Sequence, residues 1–178
     1  NCTSLRRAEL PASLKNFGSG LSYSCVFEGC HLLEEIDIPE ENPYYYCYRN
    51  AVVEKGTLTV VDGTGLGHCQ LHIGLQEYRP KRIASGAFRW LPYLTAIWLP
   101  ETLEEIETGA FFDCPSIEFI YFAGKIPPLL GDRNFDLVHQ SNWRIPPKER
   151  IVIVVPAGSL EAYRNAPGWK EFKNIIIR

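Results

Sequence analysis

The chain has 178 residues, of which 46% are apolar, and its 18 Lys and Arg against 21 Asp and Glu leave a net charge of −3. This length and composition suit one globular domain with a sizeable core and exclude a disordered chain. The slightly acidic balance argues against a nucleic-acid-binding role. No apolar run reaches the roughly 18 residues of a membrane span, and no signal peptide is visible. Because the chain also lacks Met, we expect a processed or truncated product from which any export signal has been removed.

The first two segments share one phrase, in which a Cys is followed by apolar residues at fixed intervals and then by Pro. The two copies read Cys2-x-x-Leu5-x-x-Ala8-x-Leu10-Pro11 and Cys30-x-x-Leu33-x-x-Ile36-x-Ile38-Pro39. Alternating apolar residues before the Pro predict a short strand, since side chains two apart share a face. Pro cannot donate to a ladder, so each strand is expected to end there.

Residues 40–79 separate these copies from the next and are interpreted as an insertion. The pattern predicts a hairpin of Ala51 to Glu54 and Thr57 to Val61 around Lys55-Gly56, followed by a Gly-rich loop. If the protein is exported, Cys47 and Cys69 are the pair best placed to be oxidised. Four tyrosines are expected to pack at the base of the hairpin, with a second binding surface as the alternative; they are Tyr44, Tyr45, Tyr46 and Tyr48.

Two further copies follow, and they define the repeat length. The phrase recurs as Leu91, Leu94, Ile97, Leu99 and Pro100, and then as Cys114, Ile117, Ile120 and Phe122. Phe88 and Phe111 stand three residues upstream of each copy and are 23 residues apart, within the period of about 20–29 residues typical of leucine-rich repeats. Equivalent residues should therefore stack in successive turns. In that stack Cys2, Cys30 and Cys114 are predicted to be buried free thiols, with a Cys2–Cys30 disulfide as the alternative.

The C-terminal part divides into an irregular segment, 132–150, and a cap, 156–178. Segment 132–150 follows no recognisable repeat. In the cap, Ser159 is expected to begin a short helix with Leu160 and Tyr163 on one face, and Pro167-Gly168 to end it. Trp169 and Phe172 supply bulk to cover the last turn.

The phrase Ala-Phe-x-x-Cys-x-x-Leu-x-x-Ile-x-Leu-Pro resembles the BspA-like leucine-rich repeat of surface and secreted proteins from Bacteroidetes-type bacteria. The resemblance extends over Ile38 to Tyr45, Ala51 to Val61, Val154 to Tyr163 and Gly168 to Ile175. It departs from the pattern where Leu91 replaces Cys and Ala8 replaces Ile. The resemblance implies a secreted or cell-surface protein that adheres to host proteins, extracellular matrix or other cells.

Together, these features predict a single domain over residues 1–178. We expect a right-handed leucine-rich-repeat solenoid with a short-stranded parallel sheet, one β-hairpin insertion and a C-terminal helical cap.

Residues able to do chemistry are sparse. His68, Cys69 and His72, with Cys47, suggest a zinc site, but the spacing is not a standard one, and on a strand Cys69 would face away from both histidines. No nucleophile, base and orienting acid occur as a set. We therefore expect no cofactor, no metal and no enzymatic activity.

The predicted outward positions of the strands are the candidate binding surface. They are Glu9, Asp37, Trp98, Tyr121 and Val154, with Arg7, Glu35, Ala96, Phe119 and Val152 two residues earlier. Arg7 can pair with Glu35, whereas Trp98, Phe119 and Tyr121 bring aromatic area to adjacent turns, as in interaction hot spots. Alternatively, segment 132–150 or the hairpin covers these rings.

Two functions fit this sequence. The first is a binding or adhesion module for a host or other extracellular protein. The second is a structural spacer of a larger surface protein with no ligand of its own. Repeat folds serve many unrelated binding functions, so the sequence does not name the ligand or an oligomeric state.

Overall fold

The computed structural model describes residues 2–17, 26–27, 29–30, 32–48, 51–63, 70–72, 79–138 and 147–178. Strands dominate these residues, and they form three sheets with short helical segments near the C-terminus.

The N-terminal sheet contains two parallel strands, β1 (Arg7–Glu9) and β2 (Glu35–Asp37). They pair as the repeat predicts, with Ala8 opposite Ile36. The expected ion pair between Arg7 and Glu35 is present at 3.1 Å. Both strands end before a Pro-containing turn, which agrees with the inability of Pro to extend a ladder.

The back sheet has six strands in the order β11-β9-β7-β5-β4-β3. Its strands are β3 (Tyr45–Tyr48), β4 (Ala51–Glu54), β5 (Thr59–Asp62), β7 (Arg82–Ile83), β9 (Glu105–Ile106) and β11 (Leu129–Leu130). The predicted hairpin is β4 and β5, with β5 beginning two residues later than expected, and it pairs with β3 on its other side.

The front sheet is entirely parallel and has the order β13-β12-β10-β8-β6. Its strands are β6 (Gln70–His72), β8 (Ala96–Leu99), β10 (Phe119–Phe122), β12 (Val152–Val155) and β13 (Asn174–Ile177). Two of its members were not expected: β6 falls in the supposed insertion, and β13 lies in the cap, which was expected to be helical.

Segment 40–79 is therefore more than a hairpin added to the repeats. Val60 of β5 pairs in register with Ile83, and Leu71 of β6 pairs with Ile97. The segment thus adds one strand to the parallel part of each large sheet. The 23 residues from Val60 to Ile83 equal the step between Phe88 and Phe111, so this segment follows the repeat length although it lacks the phrase.

The main core is one cluster formed by the inward faces of both large sheets. Ile97, Ile120 and Ile153 come from the front sheet, and Ile83 and Ile106 from the back sheet; all five are fully buried. A fully buried side chain of this size contributes roughly 1.5–3 kcal/mol to folding. A second cluster holds Phe17, Phe27, Cys30, Leu33, Ile36, Ile38, Tyr45 and Val52.

A ladder of phenylalanines runs through the main core. Phe88 and Phe111 stack with centroids 5.1 Å apart, and Phe111 and Phe135 stack at 5.3 Å, both with planes within 5° of parallel. These spacings follow the roughly 4.8 Å between neighbouring strands. Phe135 was not expected in this ladder, because it comes from segment 132–150. Phe27, which stands three residues before Cys30 as Phe111 stands before Cys114, lies in the other cluster.

Asn134 anchors that last turn from inside the protein. Its Oδ1 accepts the backbone N–H of Phe111 at 3.1 Å, and its Nδ2 donates to the carbonyls of Glu107 and Gly131, both at 2.9 Å. A buried amide with three partners avoids the cost of unsatisfied polar groups. Segment 132–150 thus begins with an ordered turn, and it ends in a helix, α1 (Pro147–Arg150).

The cap consists of helix α2 (Leu160–Asn165), a 3₁₀ turn over Trp169–Glu171 and strand β13. Tyr163, Trp169 and Phe172 are buried, as expected. The Trp169 indole donates to the Pro128 carbonyl at 2.7 Å. Ser159 occupies the N-cap position of α2, as expected, but its hydroxyl makes no capping hydrogen bond and donates instead to the Pro156 carbonyl at 2.7 Å.

The cysteines divide by burial. Cys30 and Cys114 are buried free thiols, as predicted, but Cys2 is exposed, and the Cys2–Cys30 disulfide is absent. Cys2 begins the described chain, where no preceding described turn packs against it. Cys69 lies outside the described residues, so the Cys47–Cys69 pairing stays a prediction.

Candidate functional site

The outer face of the front sheet holds the aromatic positions predicted from the repeat. Side chains alternate along β8, so Ile97 and Leu99 enter the core while Ala96 and Trp98 face outward. The same alternation along β10 places Phe119 and Tyr121 outward.

Parallel, in-register pairing brings these rings together. Trp98 lies opposite Tyr121 on the neighbouring strand, and their ring centroids are 4.5 Å apart with planes 5° from parallel. Phe119 packs against Tyr121 at 5.9 Å. All three side chains are half-buried. Stacking accounts for part of this burial, and the rings remain contiguous and partly open to solvent.

The neighbouring outward positions continue as apolar residues. In the row that starts with Trp98 and Tyr121, β12 adds Val154 and β13 adds Ile176, which is 48% exposed. Val154 was expected to be exposed and is buried. It stands in register between the larger side chains of Tyr121 and Ile176, which shield it.

Ala96 also departs from expectation, since it is buried although it faces outward. The register places it opposite Phe119, and a methyl group beside a phenyl ring retains little accessible surface. In the outward row that contains Ala96, the exposed surface therefore comes mainly from Phe119 and Val152.

An arginine behind the site sets β12 beside β10. The Arg150 guanidinium donates to the carbonyls of Ile117 and Pro115, at 2.6 and 2.5 Å, in the turn before β10. Burial lowers the pKa of Arg150, and the nearby carboxylate of Glu118 opposes that shift. Since Arg150 lies two residues before the start of β12, these bonds help align the two strands.

The other two candidate residues, Glu9 and Asp37, lie on the N-terminal sheet, where both are exposed. They face each other across β1 and β2, and Arg7 lies 3.1 Å from the Glu9 carboxylate and 3.9 Å from that of Asp37. No strand pairing joins this sheet to the front sheet within the described part of the chain. The acidic and aromatic candidates thus occupy different sheets.

The described residues offer neither a metal site nor a membrane-spanning helix. Among them no group of three His, Cys, Asp or Glu side chains could hold a metal ion. The imagined zinc site is untested, because His68 and Cys69 lie outside the described ranges and only the backbone of His72 is described. In the part of the chain that the structure describes, no helix has the length and apolar character needed to cross a bilayer.

Two signals in the sequence could have located the unexpected strands. Val60 precedes Ile83 by one repeat length. Leu71 is an apolar residue between two polar ones, which is the pattern of a strand with one inward and two outward positions. Neither segment carries the Cys and Pro of the phrase, so a search for the phrase passes over both.

Comparison with known proteins supports the repeat assignment. The family model described as "BspA type Leucine rich repeat region" matches six copies, over residues 1–60 and 26–136. Leucine-rich repeat proteins of this family are often surface or secreted proteins involved in binding and are typically non-enzymatic. No curated protein matches the chain.

A solved structure that matches is the crystal structure of the pneumococcal vaccine antigen PcpA. It is 17% identical, and the alignment covers 98% of this chain and 56% of that one with a TM-score of 0.49. The chain therefore spans little more than half the length of that protein. Because the repeat phrase, the in-register strands and a family match over most of the chain agree, this protein belongs to the BspA-type leucine-rich repeat family.

Proposed function

We propose that this protein is a non-catalytic binding module, secreted or held at a cell surface, that recognises an extracellular protein through the outer face of the front sheet. The observation that carries the proposal is the stacked pair of Trp98 and Tyr121. The repeats would wind as a right-handed solenoid, which presents this face as one continuous surface.

The chemistry of the face supports protein recognition. Trp and Tyr are enriched among the residues that dominate binding energy at protein interfaces, and they order at low entropic cost. Stacking between adjacent strands already restricts the rings of Trp98 and Tyr121, so less freedom is lost on binding. Phe119 and Ile176 extend the apolar area on either side.

Glu9 and Asp37 take a secondary role in this proposal. Because Arg7 lies close to both carboxylates, the acidic charge of the N-terminal sheet is partly neutralised. Exposed charges of this kind influence the association rate more than the affinity. We therefore place the main contribution to affinity on the aromatic residues.

The test is a double substitution, Trp98→Ala with Tyr121→Ala, compared with Tyr93→Ala, whose ring is 65% exposed and lies on a turn. Binding is measured by surface plasmon resonance on immobilised fibronectin, laminin and collagen. We expect the double variant to lose at least tenfold in affinity and Tyr93→Ala to bind like the unmodified protein. The melting temperature of the double variant should fall by only a few degrees, since half-buried rings are not core residues.

Two results would oppose the proposal. If the double variant binds as the unmodified protein does, the ligand uses another surface. If the unmodified protein binds none of the matrix proteins and the double variant loses several kcal/mol of stability, the rings are structural and the spacer function is favoured.

A further inference from the structure

A small cleft lies on the turns that connect the back sheet to the front sheet, away from the Trp98–Tyr121 surface. Its lining residues are Arg89, Gly109, Phe112 and Arg133, and its volume is about 100 Å³. Arg89 and Phe112 each directly follow a phenylalanine of the ladder, so they occupy equivalent positions in successive repeats. Gly109 has a φ of 66° and adds no side chain, which keeps the cleft open.

Two arginines in this cleft share one aromatic ring. The guanidinium carbon of Arg89 lies 5.0 Å from the ring centroid of Phe112, and that of Arg133 lies 4.8 Å from the same centroid. The two cationic carbons are thus at most about 10 Å apart, close to the Debye length at 0.1 M salt. Arg89 also lies 5.3 Å from the ring of Trp90. These cation–π contacts hold both cations at the cleft.

One carboxylate lies near the two guanidinium groups of the cleft. Arg133 approaches Asp136 through Nε at 3.9 Å, which is longer than a hydrogen bond. Among the described residues, no side chain or carbonyl accepts a hydrogen bond from the Arg133 guanidinium, and its side chain is 55% exposed. The Asp136 carboxylate therefore offsets part of the charge of Arg133 but does not occupy its N–H donors through a hydrogen bond.

Size and donor geometry limit what the cleft can accept. The cleft volume of about 100 Å³ is smaller than the roughly 150 Å³ of a cavity that accommodates benzene, so the cleft suits a small group. Arginine presents a planar fork of donors that matches the oxygens of carboxylate and sulfate groups. A neutral acceptor would gain less from two guanidiniums than an anion, and a cation would be repelled.

We propose that this cleft binds one oxyanion group, a carboxylate or a sulfate, with Arg133 and Arg89 as the donors and Phe112 as the ring that orders both. The site does not depend on the binding face proposed above, because none of its residues lies on the front sheet. In a larger ligand, this group would be a terminal or branching substituent small enough to enter the cleft.

The experiment titrates the ¹⁵N-labelled protein with sodium acetate and, separately, with sodium sulfate, while sodium chloride keeps the ionic strength constant. Chemical shifts of the Trp90 indole N–H and the arginine Nε–H groups report binding. We expect saturable shifts with at least one anion. Saturation with acetate alone identifies a carboxylate site, and saturation with sulfate alone identifies a sulfate site.

Matched variants separate this site from general attraction of anions. Arg133→Gln should weaken binding at least tenfold. Arg164→Gln should not change it, because Arg164 is an equally exposed arginine that pairs with Glu161 on α2. Arg89→Lys keeps the charge without the fork, and in a sample with an unchanged amide spectrum it should also weaken binding.

The proposal is overturned if neither anion gives a saturable shift. It is also overturned if Arg133→Gln or Arg89→Lys binds as tightly as the unmodified protein. In either case the arginines serve only to stack on Phe112. Since these measurements use no protein partner, their failure would leave the proposed function of the Trp98–Tyr121 surface unaffected.

Discussion

At the scale of single residues, Cys114 shows how burial turns a polarizable side chain into a structural one. The thiol is buried, and Sγ donates to the Phe88 carbonyl at 3.0 Å. Burial raises the pKa of the Cys114 thiol from about 9 to about 12, because the thiolate would lose its hydration. Such a cysteine occupies a core position in place of Leu91 of the preceding repeat and is not a reactive group.

This shift makes stability depend on pH in the alkaline range. Below pH 9 the folded and unfolded chains both keep the Cys114 proton, and the thiol's full contribution is present. Above pH 9 the unfolded chain releases that proton while the folded chain retains it up to about pH 12. The free energy of unfolding should therefore fall by up to about 1.4 kcal/mol per pH unit in this window.

The measurement is urea denaturation of the unmodified protein and of Cys114→Ala between pH 7.5 and pH 11. The variant should be less stable at neutral pH, and the difference should narrow as the pH rises. Tyr163, whose pKa burial also raises, contributes to both curves and cancels in the comparison. A difference that is constant with pH would contradict the assignment.

At the scale of elements, the strongest feature is the ladder that joins successive repeats. Phe111 lies between Phe88 and Phe135 and is fully buried, so its removal would deprive two rings of their neighbour. By contrast, the ion pairs beside the back-sheet strands, such as Lys81 with Glu104 at 3.0 Å, are largely exposed. Exposed pairs of this kind contribute little, because water and salt screen them.

We predict that Phe111→Ala lowers the free energy of unfolding by about 3–5 kcal/mol, the cost typical of emptying a phenylalanine site in a core. Phe119→Ala is the matched control, because it removes the same atoms from a half-buried position on the outer face. Its effect should be clearly smaller. Chemical denaturation of both variants tests this, and equal losses would show that the outer face is packed as tightly as the core.

At the scale of the whole molecule, the described residues contain two hydrophobic clusters of unequal extent. The smaller cluster supports the N-terminal sheet, whose strands have only three residues each. Tyr45 and Val52 belong to the smaller cluster, while Tyr46 and Val53 belong to the main one. The antiparallel strands β3 and β4 therefore connect the two clusters through alternate side chains.

Repeat proteins open locally where neighbouring turns contribute least to one another. We expect hydrogen exchange, followed by mass spectrometry, to be faster for amides of β1 and β2 than for amides of β8 and β10. Exchange in β3 and β4 should be intermediate. Uniform protection across all six strands would instead indicate one cooperative unit and contradict the division into two clusters.

The local sequence pattern was sufficient to predict the strands that carry the repeat phrase. The alternation around Ile97 and Ile120 identifies their strands and assigns Trp98 and Tyr121 to the opposite face, because side-chain direction in a strand depends only on the residue's own position. The step of 23 residues from Ile97 to Ile120 then implies the register between these two strands. The family resemblance, and with it the leucine-rich repeat fold, follows from the same residues.

Partners distant in the chain could be identified only in three dimensions. The strands of Leu71 (β6) and Ile175 (β13) complete the front sheet because β8 and β12 offer backbone groups for pairing. The repeat phrase contains no information about these pairings. Likewise, Arg89 and Arg133 meet at Phe112 only because three successive turns are stacked. Periodicity in the sequence specifies which face of a strand a side chain occupies, whereas stacking of the folded turns decides which side chains become neighbours.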